Sequence, residues 1–257
     1  MVMQPKISIV TISYNQKKYL DQCINSVINQ DYSNLEYIIV DPGSMDGSRE
    51  LINSYGKIIK KIFEPDNGPA DGLNKGFELA TGEIYFFLNS DDMLLPNSLK
   101  MVEHYFSLFK DIDVLIGAGI QLNANRNEKS IKSDTWHLNE FLFGANVVFQ
   151  QSTFFRSSIF RKTKGFNIDN RSCWDSELWI DLACVDARFL TVNDKFGFFR
   201  IHDDSISGTN RLKKIYQQDQ IRMASKILKR DISKTEWYIK NIFYRFLRKF
   251  NNFHFNI

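Results

Sequence analysis

The sequence predicts an α/β fold: a mostly parallel sheet flanked by helices, followed by a helical C-terminal appendage. Two observations predict it. Through the first 120 positions, short apolar runs alternate with stretches whose apolar residues recur at helical spacing. The runs are apolar almost throughout, not at every second position, as strands buried on both faces are.

Taken in order, Ile7–Ser13 reads as a buried strand. Tyr19, Leu20, Cys23, Ile24, Val27 and Ile28 then mark one face of a helix. Leu35–Val40 is a second strand, closed by the turn Asp41-Pro42-Gly43-Ser44, and Ser44 or Asp46 caps a helix over Arg49–Tyr55. Ile58–Phe63 is a third strand. The turn Asp66-Asn67-Gly68-Pro69 opens a helix to about Ala80, and Ile84–Leu88 is a fourth strand. Pro96 starts a helix to about Phe109, and Val114–Ile120 is a fifth strand. The second half is less regular. Asn123–Ser133 is polar and expected to be an exposed loop; Asn146–Phe155 is strand-like; Ser157–Lys164 is a short helix ended by Gly165. Trp174–Ala183 has helical spacing, and Phe189–Val192 and Phe196–Ile201 are strand-like. These elements give a domain over residues 1–209, with halves of about 1–110 and 111–209, and a basic, amphipathic helical tail over 210–257.

With 257 residues, 43% of them hydrophobic and 25% charged, the chain is expected to be globular, not disordered. Met1–Lys6 leads straight into a strand-like run, so no signal peptide is expected, and no run of 18 apolar residues suggests a membrane span. Cys23, Cys173 and Cys184 show neither metal spacing nor a disulfide framework and read as small core residues in a reducing, cytoplasmic setting. The net charge of +3 hides an asymmetry. Arg211–Ile257 carries twelve Lys/Arg against three Asp/Glu, so the body is mildly acidic and the tail basic.

In a sheet of this kind ligands sit outside the carboxyl ends of the strands. The polar residues at those ends are Tyr14-Asn15, Asp41, Glu64–Asp66 and Asn89-Ser90-Asp91-Asp92. A hard divalent cation prefers oxygen ligands and is often held by one or two carboxylates plus substrate phosphates. Asp91-Asp92 offers such a site; a helix cap or an Asx turn would explain the same residues. Asp41, with Gly43 and Gly47 nearby, can accept hydrogen bonds from a nucleobase or ribose.

Five segments carry a resemblance. They are Thr11-Ile12-Ser13-Tyr14-Asn15, Val40–Gly47, Asn67–Gly76, Ala80-Thr81-Gly82-Glu83 and Leu88-Asn89-Ser90-Asp91-Asp92. In order and spacing, over about the first 100 residues, they resemble the family 2 glycosyltransferases, inverting enzymes of the GT-A (Rossmann-like) fold. The resemblance implies that Thr11, Ser13 and Asp41 hold base and ribose. Asp71, Asn74 and Lys75 would line the nucleotide and diphosphate side, and Asn15 and Asn89 would face the same nucleotide-sugar. Of the DxD-type pair, it implies Asp92 as the direct metal ligand and Asp91 nearer the ribose, with His202 of Phe199-Arg200-Ile201-His202 reaching the metal or diphosphate. It implies Mn²⁺ or Mg²⁺ as cofactor and a nucleoside-diphosphate sugar, a UDP-sugar by preference, as donor. Within Cys173-Trp174-Asp175-Ser176-Glu177-Leu178-Trp179, Asp175 takes the base position and Glu177 is the alternative. Gln151 and Trp174 are candidate contacts to a glycan acceptor, free or lipid-linked. Pro42 departs from the small residue usual after this Asp. The setting implied is bacterial surface polysaccharide synthesis.

In the tail, Ile239, Ile242, Phe243, Phe246, Leu247 and Phe250 share one helical face, with Lys240, Arg245, Arg248 and Lys249 mainly on the other. Such a helix suits an anionic membrane surface through residues 237–257, at the inner face of the cell membrane. Packing on the domain or a homodimer contact would use the same stripe. Nucleic acid is not an expected partner, because the aromatic residues belong to the apolar stripe. Two other functions compete. A nucleotidyltransferase acting on sugar phosphates would carry a glycine-rich loop near the first strand, and Tyr14-Asn15-Gln16-Lys17-Lys18 has no glycine. A non-catalytic nucleotide-sugar-binding module would not need Asp175.

Overall fold

The computed structural model describes residues 4–123, 127–203, 205, 209 and 212–254, the last five of these without their side chains. In chain order the elements are β1 (Ile7–Ile12), α1 (Lys17–Ile28), β2 (Leu35–Val40), α2 (Ser48–Ser54), β3 (Lys60–Ile62), α3 (Pro69–Leu79), β4 (Ile84–Asn89), β5 (Met93–Leu94) and α4 (Ser98–Leu108). There follow β6 (Val114–Leu122), β7 (Glu128–Ile131), α5 (Leu138–Leu142), β8 (Thr153–Arg156), α6 (Ser157–Phe160), α7 (Trp174–Cys184), β9 (Phe189–Arg200), α8 (Lys213–Leu228) and α9 (Lys234–His254).

The strands form one sheet in the order β3-β2-β1-β4-β8-β6-β9-β5, with β7 added to β6. Alternate strand residues feed two cores. Val10, Ile38, Tyr85 and Phe87 point to the face covered by α3, α7 and α8. Ile9, Ile39, Phe86 and Leu88 point to the face covered by α1 and α4. This double burial is why the sequence runs are apolar throughout.

Parallel pairing holds for β3-β2-β1-β4 and for β6-β9, while β8 runs antiparallel to both its neighbours, so the sheet is mixed. The strand expected over Asn146–Phe155 shrinks to Thr153–Arg156. Ahead of it, polar side chains find partners better than a ladder would offer. Gln150 Nε2 donates to the Phe87 carbonyl at 2.9 Å and Ser152 Oγ to the Ala118 carbonyl at 2.6 Å, and residues 150–152 close into a 3₁₀ turn. The two strands expected in 189–201 are one, with a register shift against β6 at its polar middle. The expected loop at 123–133 contains the exposed edge strand β7; its residues 124–126 lie outside the described set. Cys23 and Cys173 are buried as expected, but Cys184 is exposed.

The tail is not separate from the domain. Met223 and Ala224 of α8, with Ile232 and Trp237, belong to the same core as Trp179. Among the described residues no helix is long and apolar enough to cross a membrane.

One close approach packs β9 against the 150–152 turn. A Cβ on Gly197 of β9 would lie 1.8 Å from the Gln151 carbonyl oxygen. Gly197→Ala is expected to cost about 2–3 kcal/mol, because backbone on both sides must shift. Urea unfolding at constant m-value measures it.

Candidate active site

β1 lies between β2 and β4, parallel to both, with Ile12 opposite Val40 on one side and Asn89 on the other. The three strands therefore end at one level. Their loops open onto a cleft of about 600 Å³ lined by Ser13, Pro42, Asp66, Asn89, Asp91 and Trp174, among others. The loops after β1 and β2 are stitched together. Asn15 N–H donates to Ser44 Oγ at 2.8 Å, Met45 N–H to Asn15 Oδ1 at 2.9 Å, and Lys17 N–H to Asp46 Oδ2 at 2.9 Å.

The short strand β5 pairs antiparallel with the end of β9, Met93 opposite Phe198. This pairing carries Arg200–His202 to the turn that follows β4. His202 Nε2 lies 3.1 Å from Asp91 Oδ2, its ring packs on Tyr19, and its Nδ1 has no partner. Asp91 lines the cleft.

Asp92 faces the other way and is fully buried. Its carboxylate accepts from the Arg200 amide at 3.0 Å and Gln151 Nε2 at 2.9 Å. Burial, with the charge of Asp91 beside it, pushes its carboxyl well above the usual range. This corrects two expectations. Asp91, not Asp92, is the member of the pair that lines the cleft. Gln151, 6% exposed, is occupied by Asp92 and not by an acceptor.

Other expected contacts are also turned inward. Asp41 is fully buried. It accepts from the Ser44 amide at 2.8 Å, Ser44 Oγ at 2.6 Å and Arg49 Nε at 3.1 Å, so it organises the turn beneath the cleft. Thr11 is fully buried against the Tyr37 hydroxyl at 3.0 Å. Asn15 holds the neighbouring loop. Asp71 accepts from the Asn67 amide at 2.8 Å, and Lys75 donates to the Pro65 carbonyl, so both brace the 65–71 turn. Asn74 bonds both the N–H and the C=O of Phe166 at 2.8 Å, a cross-link between α3 and the 166 loop. Ser13 does reach the cleft, and its Oγ is buried with no partner. Pro65, Asp66, Pro69 and Phe199 also line the cleft, although none was given a role from the sequence. Asp66 stood among the polar strand ends, and Pro69 and Phe199 fell within segments quoted for the resemblance.

On the far wall stands the start of α7. Trp174 lines the cleft, while Asp175, next along the first turn, lines a second cavity. Cys173 occupies the N-cap position, so Asp175 is not the cap. Burial raises the Asp175 carboxyl above its usual range against the hydrogen bonds it accepts from Ser176. A raised carboxyl pKa is what a general base working near neutral pH needs.

Glu177, the alternative expected for the base, is turned inward and enclosed. It is 2% exposed and grips Arg222 through two bonds, Nη2 to Oε2 at 2.7 Å and Nη1 to Oε1 at 3.0 Å. Asn170 and Asn167 also donate to its Oε2. Burial alone would raise it, but Arg222 and the two amides outweigh that and hold it down at about 2. Its charge therefore stabilises the fold above its ordinary value of 4.5, and that contribution fades as pH falls toward about 2. Glu177→Gln is expected to lose about 1–3 kcal/mol at neutral pH, and to lose this acid slope, with nucleotide binding intact. Thermal unfolding across pH, with titration calorimetry for UDP, measures both.

The model of the family described as Glycosyl transferase family 2 matches residues 8–164. An uncharacterized glycosyltransferase of Nostoc sp. is 38% identical over 114 residues, 43% of this chain and 35% of the relative. The putative teichuronic acid biosynthesis glycosyltransferase TuaG of Bacillus subtilis is 39% identical over 101 residues, 38% of this chain and 40% of the relative. The chain thus aligns with well under half the length of these relatives. The crystal structure of residues 1–349 of S. aureus TarS in complex with UDP-GlcNAc superposes with a TM-score of 0.72 at 17% identity, covering 94% of this chain and 72% of that one. With in-register strand ends opening on one cleft, a mixed sheet shared with TarS, and a family model spanning more than half its length, this chain belongs to glycosyl transferase family 2.

Proposed function

We propose that the chain is a metal-dependent, inverting glycosyltransferase that moves a sugar from a UDP-sugar to a hydroxyl of a glycan. The observation that carries this reading is a cleft with Asp91, held by His202, on one wall and Trp174 on the other, next in the chain to Asp175, which lines the second cavity. The names of relatives support the class of process: TuaG points to a cell-surface polymer, and TarS to a UDP-activated donor.

The residues fit a divalent cation. Asp91 offers a carboxylate and His202 an imidazole nitrogen 3.1 Å apart. Among the described residues no three His, Cys, Asp or Glu side chains converge to hold a metal alone. That suits an ion completed by donor phosphates. Such an ion would offset charge on the departing diphosphate. The unpaired Ser13 Oγ, beside Ile12 and Pro42, suits the base or ribose. Asp175 takes the proton of the acceptor hydroxyl as its oxygen attacks the anomeric carbon. The carbon–oxygen bond to the diphosphate breaks on the opposite face, which inverts the configuration.

A lipid-linked acceptor at an anionic membrane completes the reading. One side of α9 is docked: Trp237 Nε1 donates to the Leu142 carbonyl at 3.1 Å and Asn241 Nδ2 to that of Phe143 at 2.5 Å. On the outward side Ile239, Ile242, Phe243, Phe246 and Leu247 are exposed, with Arg245 and Lys249 also exposed along it. Phe250 of the expected stripe lies outside the described side chains. Apolar residues flanked by cations match an anionic lipid interface better than a neutral protein surface.

Asp175→Asn is expected to lower turnover about a hundredfold or more with UDP affinity unchanged. In the wild type the acid limb of activity should lie above the ordinary Asp value of 3.8, since activity needs the carboxylate and burial raises its pKa. Asp91→Ala should abolish Mn²⁺-dependent UDP binding; Mn²⁺-dependent binding that survives it would overturn the metal assignment. Ile242→Asp with Phe243→Asp should abolish sedimentation with phosphatidylglycerol vesicles at unchanged Tm, because neither side chain is in the core. Removing residues 237–257 would be a poorer test, since it strips Trp237 from the core.

A further inference from the structure

A second cavity, about 660 Å³, lies between the start of α7, the 141–148 segment and α8. Its walls include Asp175 and Trp179 of α7, Asn146, and Tyr216 and Gln220 of α8. Asn146 is 6% and Gln220 3% exposed. Asn146 has a fixed orientation, because its Nδ2 donates to the Thr135 carbonyl at 2.7 Å. Its Oδ1 is left with no partner, and so is Oε1 of Gln220. Buried amide oxygens without donors are uncommon in folded proteins, and each calls for an explanation. Here two belong to the walls of one cavity, and that cavity also holds the carboxylate to which the base role falls.

We propose that this cavity receives the acceptor sugar, with Asn146 Oδ1 and Gln220 Oε1 accepting hydrogen bonds from its hydroxyl groups. The inference rests on the glycosyltransferase reading and deepens it. Amide oxygens select hydroxyl donors and reject phosphate oxygens, which can only accept from protein groups at neutral pH. The Tyr216 ring, 43% exposed, adds apolar surface that a pyranose ring face requires. The ligand class is therefore an uncharged, polyhydroxylated ring, not a second nucleotide.

The cavity is built by the tail helices. Arg222 of α8 holds Glu177 of α7, and Asp219 of α8 accepts from Ser172 Oγ at 2.5 Å, on either side of Asp175 in the chain. From α9, Asn241, Arg245 and Arg248 cap the carbonyls of Phe143, Gly144 and Ala145, at 2.5, 3.2 and 2.7 Å. That segment leads directly into Asn146. The helix proposed to lie on the membrane thus braces the wall that would read the acceptor.

The test uses the full chain with UDP and Mg²⁺ present. The acceptor probes are the p-nitrophenyl β-glycosides of glucose, galactose and N-acetylglucosamine, read by saturation-transfer NMR. The variants are Asn146→Leu and Gln220→Leu. The wild type should bind at least one glycoside, and each variant should weaken that binding at least tenfold. UDP affinity by calorimetry should be unchanged. Tm should hold or rise in Gln220→Leu, which removes an unpaired oxygen, whereas a purely structural role would lower it; Asn146→Leu also loses the bond to the Thr135 carbonyl and should lower Tm in either case. Equal glycoside binding in the wild type and both variants overturns the inference, as does no binding of any glycoside by the wild type. Absence of metal-dependent UDP binding in the wild type would instead overturn the glycosyltransferase reading.

Discussion

The register of β1 against β2 and β4 is the constraint on which the site depends. Pairing Ile12 with both Val40 and Asn89 ends three parallel strands at one level. Everything polar that follows them must emerge at the same edge. A slip of one residue would turn every strand side chain to the opposite core, and both cores are full. The two-sided burial that makes the strands easy to read therefore also fixes where the cleft opens. The second pairing that matters is the two-residue ladder of β5 with β9. It is short, yet together with the Arg200 amide bond to Asp92 it brings His202, 111 positions from Asp91 in the chain, to 3.1 Å from it.

A buried carboxylate needs donors, and that requirement sorts the acidic residues into two groups. Asp41, Asp92 and Glu177 are each enclosed by hydrogen bonds from the surrounding fold. Asp91 and Asp175 keep a face toward a cavity. The enclosed ones stabilise loops and helix ends; the open ones are those to which the proposed metal and base roles fall. Adjacent residues can fall on opposite sides of this division, as Asp91 and Asp92 do, because successive residues after a strand point in different directions.

This division explains what the sequence could and could not show. The parallel half of the sheet was legible because its strands are uniformly apolar and its helices periodic. The strand ends were legible for the same reason, so the neighbourhood of the cleft was found. Which member of Asp91-Asp92 faces outward was not legible, since it depends on Gln151 and on the amide of Arg200, both far downstream. Asp41 gave no local hint of Arg49, eight residues on, reaching back to it. The short strand at Thr153 was misjudged because apolar content alone does not reveal that Gln150, Gln151 and Ser152 have partners across the fold.

The C-terminal helices show the same limit at larger scale. Composition marks them as basic and amphipathic, which suggests a tail appended to a finished domain. Yet Arg222 and Asp219 reach into the loop and helix that carry Asp175, and Trp237 completes the core beneath them. Without α8 the buried charge of Glu177 would lose its partner, at a cost typical of breaking a buried ion pair. The turn that presents Asp175 would lose its anchor as well. The helix that reads as an appendage is thus a condition for the geometry around Asp175, the proposed base. A membrane contact made through α9 would act on the wall of the proposed acceptor cavity through the same set of hydrogen bonds that docks it.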